Sequence, residues 1–313
     1  MAAPEQQSVY VLRHAHRLDF ALGREWHSDI APPPLTEPRK KDPPLSPLGL
    51  AQATEVGTYF ASLKGSNNIG AVLASPYLRC MQTAHPIAVA LRLPLCVDDG
   101  LAELQPSFLD GAATPGDDTL VREVSLEERK HYFPLVDVTY RSAVAEGVLN
   151  SNQPFDIQQR YWQCVDLWLA RNPGQSVVAV THGWGVPAIA AGLTGVSLAE
   201  IAPHFPSTMH APPDGPPDTN AALCSITRLV ATAGQAAAAA AAAWSLDPEL
   251  VNSQAHLKTF NDEQADTKVL GWHQMTDLTA RYYGKADPAR PNRLLPLERT
   301  PWSLVGGSGG ARL

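Results

Sequence analysis

Three stretches of this 313-residue chain carry side chains able to hold and attack an anion. The first is Val9-Tyr10-Val11-Leu12-Arg13-His14-Ala15-His16-Arg17, an apolar run that ends in an imidazole between two guanidinium groups. Like charges this close repel by about 4 kcal/mol at an effective dielectric of about 20, so the cluster implies a bound oxyanion, phosphate above all. A solvated basic edge is the plainer alternative for this stretch taken alone. The second is Ser75-Pro76-Tyr77-Leu78-Arg79. With Ser75 as helix cap, Arg79 falls in the first turns, where the helix dipole disfavours a cation. A bound anion removes that conflict, and so does an ion pair with a carboxylate such as Glu55 or Asp98. The third is Thr181-His182-Gly183-Trp184-Gly185. His182 there stands beside free backbone N–H groups that also favour anions. Glu103 lies between apolar residues in Gly100-Leu101-Ala102-Glu103-Leu104. A partly desolvated carboxyl group suits a general acid, a role worth about 10²–10⁴ in rate, although the same residue reads as an exposed turn.

These residues need elements that bring them together. Apolar runs at 9–12, 70–74, 95–98 and 176–180 read as strands, the middle ones buried on both faces. Helices are expected at 48–63, opened by Ser46-Pro47, and at 76–91, 155–172 and 186–193. Weaker periodicity suggests helices at 120–132 and 139–149, last strands at 223–230 and 242–246, and a helix at 262–283. Strand and helix alternate, so the expected fold is α/β: a three-layer α/β/α sandwich with a mostly parallel central sheet. The carboxyl ends of parallel strands line one edge, where ligands bind. His14, Ser75 to Arg79 and His182 each follow a strand and are expected to converge there.

The formal net charge of -7 disfavours a general nucleic-acid binder, so any basic site must be local. The first residues match neither a signal peptide nor a membrane anchor. Cys80, Cys96, Cys164 and Cys224 lie far apart without metal-ligand spacing and read as buried thiols in a reducing compartment. The expected location is cytoplasmic, with a nuclear pool left open. Residues 1–300 read as a single catalytic domain with proline-rich or weakly patterned insertions at about 18–46, 105–153 and 203–217. The Ala236–Ala243 tract and a Gly- and Ser-rich tail at 301–313 complete the chain.

Taken together, Arg13-His14-x-x-Arg17, Ser75-Pro76-x-x-Arg79-Cys80-x-Gln82-Thr83-Ala84, Glu103 and Thr181-His182-Gly183 resemble the histidine phosphatase superfamily, also called phosphoglycerate-mutase-like. Within it, the motifs most resemble the branch of suppressor-of-T-cell-signalling and ecdysteroid-phosphate phosphatases. The resemblance implies a metal-independent phosphomonoesterase with no cofactor. His14 becomes the nucleophile, Glu103 the proton donor, and Arg13, Arg17, Arg79 and His182 the groups around the phosphate. Expected partners are a phosphorylated small molecule or phosphoprotein, with no nucleic acid and no membrane, and the resemblance is compatible with a homodimer. A phosphoglycerate-type mutase and a non-catalytic binding module that keeps the fold are the alternatives. Two positions depart from the pattern. Ala15 replaces the usual Gly, at about 1 kcal/mol if positive φ is required there. His16 replaces Glu or Gln and reads best as outward-facing. Trp26, Phe108 and Phe133 are candidates to contact an apolar leaving group.

Overall fold

The computed structural model describes residues 6–18, 42–65, 67–103, 125–143, 154–205, 220–231 and 244–258. β1 (Ser8–Arg13) alternates its side chains between two cores. Tyr10 and Leu12 face one, Val9 and Val11 the other, and all four are at most 1 % exposed. Such a strand must be covered on both sides. β2 (Ile69–Ala74), β3 (Leu95–Val97) and β4 (Ser176–Thr181) are buried in the same way. These four run parallel in the order β3-β2-β4-β1. β5 (Ile226–Ala231) and β6 (Trp244–Leu246) extend the sheet antiparallel beyond β1. The sheet is therefore mostly parallel, with a mixed edge that periodicity alone did not reveal.

α1 (Pro47–Ser62) and α2 (Leu78–Leu91) cover one face. Val56, Phe60, Met81 and Ile87, all fully buried, meet Tyr10 and Leu12 there. Burying each such side chain is worth roughly 1.5–3 kcal/mol. α3 (Leu126–Tyr132), capped by Ser125, packs Tyr132 and the neighbouring Phe133 onto the same core. α4 (Pro154–Arg171) and α5 (Gly185–Thr194) cover the opposite face through Tyr161, Val165, Val186 and Ile189, and the short α6 (Leu198–Ile201) follows. The result is the expected three-layer α/β/α sandwich.

Three local expectations change. α2 starts at Leu78, and its cap residue Tyr77 makes no side-chain cap bond, so Ser75 is not the cap. α3 falls within the span expected at 120–132, of which residues 120–124 lie outside the described residues. Of the helix expected at 139–149, residues 139–143 are not helical, because Asp137 and Asp98 take up the hydrogen bonds of Thr139, Tyr140, Ser142 and Ala143, and residues 144–149 lie outside the described residues. Phe133 is 2 % exposed and stacks edge-on with His85, so it serves the core rather than a substrate. The helix expected at 262–283, the Ala236–Ala243 tract, the 301–313 tail, Trp26, Phe108 and most of the three insertions lie outside the described residues.

Candidate active site

Backbone hydrogen bonds stitch the carboxyl ends of the parallel strands together. His14 N–H donates to the Thr181 carbonyl at 2.9 Å, and Ser75 N–H to the Val180 carbonyl at 3.0 Å. The Thr181 hydroxyl reaches the Leu101 carbonyl at 2.9 Å, tying the turn before Glu103 to the end of β4. Residues from β1, β2, β3 and β4 thus share one edge, as the sheet order requires.

His14 is fully buried, and its Nδ1 lies 2.8 Å from the Ala15 carbonyl. A carbonyl only accepts, so Nδ1 carries the proton and Nε2 keeps a free lone pair. Nε2 is buried and has no hydrogen-bond partner among the described residues. Burial, then the charges of Arg79 and Arg13, then His182 and Arg17, hold the His14 pKa well below the usual 6.5. The ring is therefore neutral near pH 7.

His182 stands edge-on to His14 with ring centres 5.5 Å apart. Its Nε2 is 2.8 Å from the Ser75 hydroxyl, and its Nδ1 is 3.3 Å from Arg79 Nη2 and 3.6 Å from Glu103 Oε2. Burial, and then Arg79, Arg17, Arg13 and Arg160, lower its pKa as well. Arg79 is fully buried, with its guanidinium 4.4 Å from the centre of the Tyr77 ring. Nη2 donates to Glu103 and Nη1 to Asp42 Oδ1 at 3.4 Å. Burial opposes its charge, but the Glu103, Cys80 and Asp42 side chains more than restore it and hold the pKa above its ordinary value.

Arg13 lies beside Gly183 and donates from Nη1 to the Ala221 carbonyl at 2.7 Å. A Cβ at Gly183 would sit 3.1 Å from the Arg13 guanidinium carbon and 2.4 Å from Asn220 Oδ1, so glycine is what lets the two strand ends close up. Arg17 pairs its backbone with Leu45, and its charge reaches both histidines. His14, Arg79, His182 and Glu103 therefore meet in one place, with Arg13 and Arg17 bordering it.

Several expectations are corrected here. The conflict of a cation at the start of α2 is met by Asp42 and Glu103, whereas Asp98 is engaged by Tyr140, Ser142, Ala143 and Gly100. Glu103 is partly buried, at 31 % exposure, as a partly desolvated carboxyl group requires. Ala15 is not among the residues with positive φ; it is buried, and its N–H donates to the Thr83 hydroxyl at 3.1 Å, so its methyl group fits without strain. His16 is half-buried rather than outward-facing, with Nδ1 2.8 Å from the Ser46 hydroxyl that caps α1.

The sequence reading missed the residues that hold the others. Gln52 accepts the His16 N–H at 3.0 Å, Gln82 accepts the Leu45 N–H at 2.8 Å, and Thr83 bridges Ala15 N–H and the Arg79 carbonyl. Gln82 and Thr83 stand in the quoted motif, which marks their positions without saying what they bind. Asp42 has no local signal at all.

The model of the histidine phosphatase superfamily (branch 1) matches residues 36–210, more than half of the chain. The chain belongs to that superfamily. Within it, the curated relatives include the human ubiquitin-associated and SH3 domain-containing protein A, 30% identical over 179 residues, which cover 51% of this chain and 26% of that protein. The Mus musculus ubiquitin-associated and SH3 domain-containing protein B is 26% identical over 217 residues, covering 62% and 33%. The chain thus spans about a quarter to a third of the length of these relatives. Among solved structures, the ecdysone phosphate phosphatase from Bombix mori in complex with tungstate is 19% identical, covering 77% of this chain and 92% of that one at a TM-score of 0.48.

Proposed function

We propose that the chain is a phosphomonoesterase that hydrolyses its substrate through a phosphohistidine at His14. The observation that carries this reading is the His14 ring, neutral and buried, with Nδ1 tied to a carbonyl and Nε2, unpartnered among the described residues, set among arginine charges. In the first step the Nε2 lone pair forms a bond to phosphorus and the ester P–O bond breaks. Glu103 acts as the acid that gives a proton to the departing oxygen. In the second step water attacks phosphorus, the P–N bond breaks and its electron pair returns to Nε2. Glu103 takes the proton of that water and is ready for another turnover.

Phosphoryl transfer rests largely on positioning and charge neutralisation. Arg79, Arg13, Arg17 and His182 supply it, each charge-assisted bond being worth about 1.5–3 kcal/mol. Arg79 holds Glu103 against His182, so the proton donor stands next to the groups that grip the phosphate. The substrate class we assign is a phosphomonoester of a small molecule or a phosphoprotein. Four free, buried cysteines support a cytoplasmic location.

The test is hydrolysis of p-nitrophenyl phosphate in EDTA, with His14→Ala as control, combined with acid quenching after brief exposure to labelled substrate. The expected result is turnover that His14→Ala abolishes and an acid-labile, base-stable label on the wild type alone. Equal rates for the two proteins overturn the mechanism. Return of the label to a sugar acid in place of water makes the protein a mutase.

A further inference from the structure

Arg79 is a permanent cation, fully buried in the first turn of α2, where the aligned peptide dipoles oppose it. A residue 37 positions earlier resolves this. The Asp42 carboxylate accepts the Leu78 N–H with both oxygens, at 2.9 and 3.2 Å, and pairs with Arg79 Nη1 at 3.4 Å. Its side chain is 12% exposed, so little water competes. The Arg79 Nε atom is buried and has no partner among the described residues, whereas both outer nitrogens are held by carboxylates. With Nη1 held by Asp42, Nη2 is the nitrogen that faces Glu103 and His182.

We infer that Asp42 is the positioning residue for Arg79: it caps α2 and fixes the guanidinium so that Nη2 faces the reacting groups before substrate arrives. The inference rests on the phosphatase reading for its kinetic consequence. A phosphate dianion entering the site meets Nη2, which carries two N–H donors and already faces Glu103 and His182. Asp42 stays on the far nitrogen throughout and keeps the fork from turning away with either partner. Orientation settled in advance lowers the cost of binding.

Asp42→Asn keeps an oxygen for the Leu78 N–H and removes the charge that holds Arg79, whereas Asp42→Ala removes both. For p-nitrophenyl phosphate, Asp42→Asn is expected to raise KM about tenfold, with kcat changed less than about threefold, and to raise the inhibition constant of orthovanadate in parallel. Asp42→Ala is expected to be worse in both. A wild-type KM and vanadate constant in folded Asp42→Asn overturns the inference even if Asp42→Ala is impaired, because the carboxylate would then be a helix cap only. A fall in kcat and stability with unchanged KM also overturns it. A second measurement needs no turnover: urea unfolding of Asp42→Asn in the wild-type and Arg79→Met backgrounds. The substitution is expected to cost less stability where Arg79 is already absent, and an equal cost refutes the pairing. Failure of the phosphatase reading would appear separately, as a wild-type protein without turnover that still shows this coupling.

Discussion

Lowering the pH from about 7.5 to about 5.5 removes stability from this fold in an amount that follows from its buried imidazoles. Burial first, and then arginine charges, hold His14 and His182 well below 6.5, and burial lowers His85 and His256 to about 4. In the unfolded chain each of these rings is about 90 % protonated at about pH 5.5. In the folded protein each stays neutral there. The unfolded state therefore binds more protons between the lowered pKa values and about 6.5, so stability falls as pH falls through that window. Each ring contributes about 1 kcal/mol across the step, and partly exposed His256 contributes less. The sum is roughly 3–5 kcal/mol, which lowers the melting temperature by about 10 °C in a protein of this size. Circular dichroism melts at constant ionic strength measure it directly. His85→Leu, remote from the histidine pair, should flatten the dependence by about one ring's share. A melting temperature that holds steady down to about pH 4.5, where carboxylates begin to protonate, would refute the claim that these rings are buried neutral.

Three substitutions probe how the site is held. Thr83→Val strands the buried Ala15 N–H beside the nucleophile, a loss of about 1–3 kcal/mol, and should cut kcat for p-nitrophenyl phosphate at least tenfold while the far-ultraviolet spectrum is kept. Gly183→Ala places a methyl group 3.1 Å from the Arg13 guanidinium carbon and should raise KM about tenfold, measured with the same substrate. Ser75→Ala removes the 2.8 Å contact to His182 Nε2 and should lower kcat/KM by about tenfold. A Ser75→Ala effect confined to melting temperature would instead mean that the hydroxyl serves folding alone.

The order of elements, their types and the residues at their ends were readable from the chain because each depends on neighbours a few positions away. The Val9–Leu12 run, the Ser46-Pro47 cap and the stripe of Tyr161, Val165 and Trp168 record burial directly in hydrophobic spacing. The parallel-sheet rule then converts three separate motifs into one edge, so His14, Arg79 and His182 could be expected together without coordinates. Ser75 shows where that reasoning stops. A serine before a proline is a good cap by local chemistry, yet its hydroxyl is taken by His182, 107 positions away.

What the sequence alone determined is therefore the layered α/β architecture and which strand ends carry reactive groups, since periodicity and motif spacing encode both locally. Only the tertiary structure decided which carboxylates answer Arg79, which nitrogen of His14 is free, that Phe133 belongs to the core and that the last two strands run antiparallel. Those outcomes turn on contacts between residues far apart in the chain, and a long-range partner leaves no imprint on the residues beside either member of the pair.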